Sequence, residues 1–180
     1  MSVFPPPLPT GRNFAVKLCT TADERERCMA IRNQVFCVEQ GYDPAIEVDE
    51  KDPCSDHFIL TETLEDGSVR DVGTLRCFAS GSLLKLGRFA VHSTHRGTGA
   101  GRVLEEAFIR HLASRQPGKC GAVTDTQDEE VDVVAYSQCV ARGFYERLGW
   151  REEGDEFLEE GQPHIKIIKT VRLQPREIRS

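Results

Sequence analysis

Residues 87–108 read GRFAVHSTHRGTGAGRVLEEAF, with three glycines set among small residues, behind an arginine, between an apolar run and a helical pattern. A loop that only reverses the chain seldom needs three positions lacking a Cβ, whereas one that brings its backbone against a ligand does. Unpaired N–H groups in the first turn of the next helix give a positive potential suited to phosphate oxygens, and Arg96 adds a permanent charge. Two familiar phosphate loops are excluded. No Gly-Lys-Ser/Thr closes the stretch, so it is not a P-loop. The spacing is G-x-G-x-G, whereas a dinucleotide fingerprint has two residues before its third glycine. The competing reading is a tight strand-to-helix connection with no ligand.

Outward from this loop, Val103, Leu104, Ala107, Phe108 and Leu112 fall on one helical face, with Glu105 and Glu106 early and Arg110 and Arg115 late. Pro117 and Gly118 are placed to stop that helix. Upstream, LLKLGRFAV predicts a strand, and HFILTETL and VRDVGTLRCF flank Glu65-Asp66-Gly67 as a hairpin. FAVKLC, residues 14–19, predicts an opening strand. The helix after it starts with a Thr21/Glu24 capping box, carries Cys28, Ile31, Val35 and Val38 as its apolar stripe, and ends at Gly41. Residues 42–56 read as an acidic, turn-rich loop. Downstream, VDVVAYSQ predicts a strand, with KCGAVTDT just before it competing for that role. A short helix in CVARGFYERLG follows, then WREEGDEFL, a turn at Glu160-Gly161 and the strand HIKIIKTVRL. The order β-α-β-β-β-α-β-α-β-β predicts an α/β fold: a mixed, mostly antiparallel twisted sheet of six to seven strands with helices packed on it.

A chain of 180 residues at 39% hydrophobic content supports one core. The expected organisation is an extended Pro-rich arm over 1–13, a single domain over 14–173 and a tail over 174–180. Net charge −6, with a pI near 5.4, argues against nucleic acid as a partner. No apolar stretch approaches a membrane span, and the N-terminal residues lack the basic and apolar regions of a signal peptide. Seven scattered cysteines with no C-x-x-C pair predict reduced thiols and a cytoplasmic setting. Nothing in the spacing of Cys or His signals a metal, and none is expected.

The chain resembles the GNAT superfamily of acyl-coenzyme A-dependent N-acyltransferases. Arg96-Gly97-Thr98-Gly99-Ala100-Gly101 matches the Q/R-x-x-G-x-G/A signature that opens the helix after the fourth strand, and FYERLGW matches a second, C-terminal one. RNQVFCVEQG, EVDEKD with the later DHF, GTLR, LGRFAV and GQPHI are similar to the ElaA-like subgroup. The resemblance covers roughly residues 14–170, a single-domain length, and departs from the family at the acidic TDTQDEEV before the proposed fifth strand. It implies the acyl-CoA N-acyltransferase fold, with acetyl-CoA as the acyl donor. It also implies that the fourth and fifth strands splay, freeing the backbone of Phe89, Ala90 and Val91 for pantetheine. Residues 96–101 would hold the diphosphate. The Val91 N–H would face the thioester oxygen. Tyr145 matches the position of the tyrosine that acts as general acid in many relatives; the other reading is a ring packed beside Phe144, Leu148 and Trp150.

For the general base, Glu39 at the end of the first helix is the candidate, as base or for amine recognition, with Glu47 and Asp49 in the loop after it. The bland reading of those acids is a solvated surface. Arg76 and Arg88 lie inside expected strands, where a buried arginine needs an anion: a carboxylate of this chain, or one on the acceptor. His57, His92, His95 and His164 read as local hydrogen-bonding residues, His92 and His95 flanking the cofactor loop. Cys139 is nearest Tyr145 but has no base at recognisable spacing, so a covalent intermediate is not expected. The reading is acetyl transfer from acetyl-CoA to a primary amine, on a small molecule or a protein, directly within a ternary complex. The alternatives are a non-catalytic coenzyme A-binding sensor or scaffold, and a nucleotide-binding module. The final hairpin could pair strands across a homodimer.

Overall fold

In the computed structural model, residues 12–115, 118–119 and 128–175 are described. Most of the Pro-rich arm, Pro117, the KCGAVTDT alternative beyond Lys119 and the last five residues of the tail lie outside them. The elements are β1 (Asn13–Leu18), α1 (Ala22–Arg32), β2 (Asp56–Thr63), β3 (Val69–Ser80), β4 (Leu83–Val91), α2 (Ala100–Ala113), β5 (Glu130–Gln138), α3 (Arg142–Arg147), β6 (Arg151–Glu159) and β7 (Gln162–Arg172). This is the order read from the sequence. The seven strands form one sheet, β1-β2-β3-β4-β5-β7-β6. Only the β4–β5 pair is parallel. Among the described residues, no helix is long and apolar enough to cross a membrane.

The helices take opposite faces of the sheet. The Thr21/Glu24 capping box starts α1 as expected, and Cys28, Ile31 and Val35 bury against Ile59 and Ala90. The fourth member of the expected stripe, Val38, is instead 66% exposed. The cause is a π-helical stretch over Asn33–Glu39, whose wider turn rotates the stripe off the sheet. On the other face, α2 buries Ala100, Leu104, Phe108 and Leu112, four apart along one line, in the main core. Burying each large side chain there contributes about 1.5–3 kcal/mol. Glu105 is not a dipole partner for the helix start: it is buried and accepts from Trp150 Nε1 at 2.9 Å and Lys169 Nζ at 2.7 Å. No acidic residue lies in the first turn of α2.

Register carries the α1 face across the sheet, because side chains alternate along each strand. Ile59 pairs with Thr74, so Arg76 and Phe78 share its face. Phe78 pairs with Lys85, Lys85 with Val134, Gln138 with His164, and His164 with Phe157. Among the strands, α1 packs mainly on β2, β3 and β4. Beyond it, this face carries a row of polar and aromatic side chains.

Candidate active site

β4 and β5 are paired only from Leu84–Val133 to Leu86–Ala135. Past that point the parallel neighbours part, and the C-terminal half of β4 loses its partner on one side. A bulge sits at the parting. Arg76 pairs with Gly87 but Thr74 pairs with Ala90, so Arg88 and Phe89 together oppose Leu75, and Arg88 takes φ +51°. Such a bulge re-aims the strand. Beyond it, His92 N–H donates to Val72 O at 3.0 Å. Antiparallel pairs alternate between bonded and unbonded, so Gly73–Val91 is an unbonded pair, and the N–H and C=O of Val91 point toward the vacated side. Arg96 Nε caps that carbonyl at 3.1 Å.

The glycine loop follows directly. Gly97 and Gly99 have φ +75° and +89°, a region that disfavours residues with a Cβ, and Gly99 is the N-cap of α2 without a side-chain cap. Gly101 has another reason to be small: a Cβ there would lie 3.1 Å from Phe144 Cε2. Thr98 Oγ1 donates to His95 O at 2.7 Å. His95 is itself buried and bonded to Glu62 at 3.0 Å, so it anchors the loop to β2. Burial holds the neighbouring His92 below the usual imidazole range.

Tyr145 lies in α3, 7% exposed, with ring centroids 6.1 Å from Phe89, 5.0 Å from Phe144 and 5.5 Å from Trp150. It is packed, and it also lines the cleft. Burial, with the Glu105 carboxylate second, holds its phenol above the usual range and therefore protonated. Glu39 is placed otherwise than a free base would be: its carboxylate accepts from Arg96 Nη2, and it is not among the cleft walls.

The acidic loop is not a solvated face. Arg32, fully buried at the end of α1, donates to Glu47 and to Asp52 Oδ1, the latter at 2.7 Å. Arg76 donates to Asp49 at 2.6 Å and to Asp52 at 2.8 Å. Arg88 donates to the Ile46 carbonyl at 2.9 Å and lies 3.3 Å from the Glu47 carboxylate. Glu47 and Asp52 are buried. Burial alone would raise the Asp52 carboxyl, but its bonds from Arg32, the Asp49 amide and Arg76 hold it well below the usual range. The anion that Arg76 and Arg88 require is thus internal, and the two side chains fix the loop as a wall.

One cleft of about 610 Å³ brings some of these parts together: Arg76, Arg88, Phe89, Arg96, Gln138, Tyr145, Glu159 and His164 help to line it, whereas Val91, Glu39 and the glycines of the loop are not among its walls. A reading of the sequence misses the part played here by Arg32, and reads His164 only as a local hydrogen-bonding residue. Arg32 falls four residues after Cys28 on the buried stripe, a charge where an apolar side chain is due; that position is the signal. His164 falls out of phase with the core residues Ile165 and Ile167, which puts it on the α1 face.

The chain matches the acetyltransferase (GNAT) domain family over residues 65–171. It is 30% identical over 157 residues, 86% of this chain and 95% of the other, to a Bacillus subtilis (strain 168) protein whose name provisionally makes it an acetyltransferase. Among solved structures it is similar to an acyl-CoA N-acyltransferase from Pseudomonas aeruginosa, with TM-score 0.65, 25% identity and coverage of 88% and 99% of the two chains. Escherichia coli ElaA gives a TM-score of 0.64 at 20% identity, with the same coverage.

Proposed function

The chain belongs to the GNAT acetyltransferase family, and from that premise we propose that it moves an acetyl group from acetyl-coenzyme A to a primary amine, directly within a ternary complex. The observation that carries this reading is the parting of β5 from β4 just before the glycine loop. It leaves a strand edge that an extended pantetheine arm can join, and it leads to the uncapped start of α2, where helix N–H groups suit a diphosphate. The residues present fit that ligand. A Cβ on Gly97 would meet nothing within 4 Å, no acid sits in the first turn of α2, and Arg96 stands beside it.

In this reading Phe89, Ala90 and Val91 hold the pantetheine side, and the Val91 N–H faces the oxygen that gains charge under attack. Residues Arg96, Gly97, Thr98, Gly99, Ala100 and Gly101 form the diphosphate cradle, Gly101 by letting α2 close on Phe144. Tyr145, protonated in its aromatic cage, donates to the departing sulfur. Glu39 is a positioning residue that steadies Arg96. Arg76 and Arg88 shape the acceptor wall through the loop carboxylates.

The test is thiol release from acetyl-coenzyme A against a broad amine library. The expected result is release matched one-to-one by acetylated amine, with no acetylated cysteine by mass spectrometry. Stoichiometric acetylation of Cys139 during turnover would overturn direct transfer. Tight donor binding with no release for any amine would favour the sensor.

A further inference from the structure

We propose that His164 is the general base of this transfer and that its Nε2, together with Glu159, seats the acceptor amine. The inference rests on the acetyl-transfer reading and adds the residue that Glu39, tied to Arg96, does not supply.

The ring's protonation pattern follows from its partner. His164 Nδ1 lies 2.9 Å from the carbonyl oxygen of Gln162, and a carbonyl only accepts, so Nδ1 must carry the hydrogen. In the neutral imidazole Nε2 then holds a lone pair. The ring is held in place. Its residue is 7% exposed, it pairs across β7–β5 with Gln138, and it packs 6.0 Å from the Phe157 ring at an interplanar angle of 31°. It lines the same cleft as Tyr145 and Phe89.

Nε2 also lies 3.9 Å from Glu159 Oε2. That is too long for a hydrogen bond, but it leaves room for one ammonium nitrogen to reach both atoms. The groups around this seat are Glu159 on β6, Glu160 in the following turn and, from the other side, Gln138 on β5 with the Tyr42 phenol bonded to it. The cations of the same cleft are Lys85 on β4, whose Nζ sits 5.5 Å over the Tyr136 ring, Lys51 and Arg96, with Arg76 and Arg88 engaged by the loop carboxylates. Glu159 and Glu160 both push the Tyr42 phenol upward, after burial, so their charge reaches into the cleft.

The step balances as follows. A proton of the seated ammonium passes to Nε2, and the freed lone pair forms the C–N bond at the thioester carbon. The C–S bond then breaks and the sulfur takes the phenol proton of Tyr145. The second proton of the new nitrogen restores the phenol, and the imidazolium releases its proton to solvent. The products are amide, free thiol and one proton.

The experiment uses the full chain with acetyl-coenzyme A and putrescine, ethanolamine, glucosamine and Nα-acetyl-lysine as probes, reading thiol release from pH 5 to 9. His164→Asn keeps a donor near the Nδ1 position but has no Nε2, so a purely structural role survives it. It should lower kcat/KM by about 10²–10⁴-fold, remove the acid limb of the wild-type pH profile and leave the acetyl-coenzyme A Kd within twofold. Glu159→Gln, at an exposed carboxylate, tests the seat even if the histidine variant fails to fold: the amine KM should rise about tenfold with the acid limb retained. His164→Asn within threefold of wild type, or an unshifted acid limb, overturns the base; an unchanged KM in Glu159→Gln overturns the seat. Either result leaves acetyl transfer standing. A wild type that binds acetyl-coenzyme A yet acetylates neither these four amines nor any member of the broad amine library overturns the transfer reading and the base with it.

Discussion

Tyr145 is both a packing residue and a cleft residue, so its two roles need a measurement that separates them. Three aromatic rings surround it, and Phe in its place keeps those contacts and loses only the hydroxyl. Tyr145→Phe should therefore lower kcat at least tenfold, with the acetyl-coenzyme A Kd and the melting temperature unchanged, because a group acting on the leaving sulfur is felt mainly in the transition state. Wild-type turnover would reduce the residue to packing. Gly99 gives the complementary case. Its φ of +89° and its N-cap position put backbone strain and negative charge together if it becomes Glu. Gly99→Glu should abolish donor binding in calorimetry, and unchanged affinity would remove the diphosphate from this loop.

At the scale of elements, the loop between α1 and β2 is held from outside itself. Arg32 is its deepest anchor, and replacing it strands Glu47 and Asp52 in the interior. Breaking a buried pair by removing one partner costs about 3–5 kcal/mol, so Arg32→Met should show that loss in urea unfolding, together with a raised KM for the amine. A loss under 1 kcal/mol would mean the loop is not anchored there. The same carboxylates set an acid dependence. Asp52 and Asp49 titrate below the ordinary value of about 3.9. Their contribution is therefore complete above that pH and is lost as pH falls through their lowered folded values. The melting temperature should fall once pH drops below about 4, and less steeply in Arg32→Met; equal slopes would assign the acid limb to other groups. The need for an anion at Arg76 and Arg88 was legible in the sequence, and so was the charge of Arg32 on the buried stripe, but which acids answer them was not. The partners of Arg32 are 15 and 20 residues away, those of Arg76 are 24 and 27 away, and local composition made the acids look solvated. The π-helical stretch was hidden for a related reason: Val38 fits a 3.6-residue period, and only the wider turn shows that it faces out. Arg88 at φ +51° carries no sequence signal, since its bulge arises from the pairing of β3 with β4. What could be read was local: the capping box, the hairpin turn, the order of elements along the chain and the Arg96–Gly101 spacing.

At the scale of the whole molecule, the β6 edge bears on whether the final hairpin pairs with a second copy. Every residue of β6 is exposed, most are charged, and a break in register between Glu153 and Phe157 accompanies Gly154 at φ +79°. Charge and irregularity of this kind blunt an edge against a further strand. The molecule's stability should instead report on its donor. A ligand that binds only the folded state stabilises it by RT ln(1 + [L]/Kd), about 2.7 kcal/mol at a hundredfold excess over Kd. For a domain of this size that raises the melting temperature by roughly 5–10 °C. Acetyl-coenzyme A and coenzyme A should both give this shift, whereas ATP and NAD at equal concentration should give little, since neither has a pantetheine arm to pair with the freed edge of β4. A nucleotide-binding module would reverse that order. The sensor would match the enzyme in this measurement and differ only in thiol release, so the two assays together separate all three readings. Gly99→Glu supplies the internal control: its melting temperature should not respond to either form of coenzyme A, and a full response would place the ligand away from the α2 terminus.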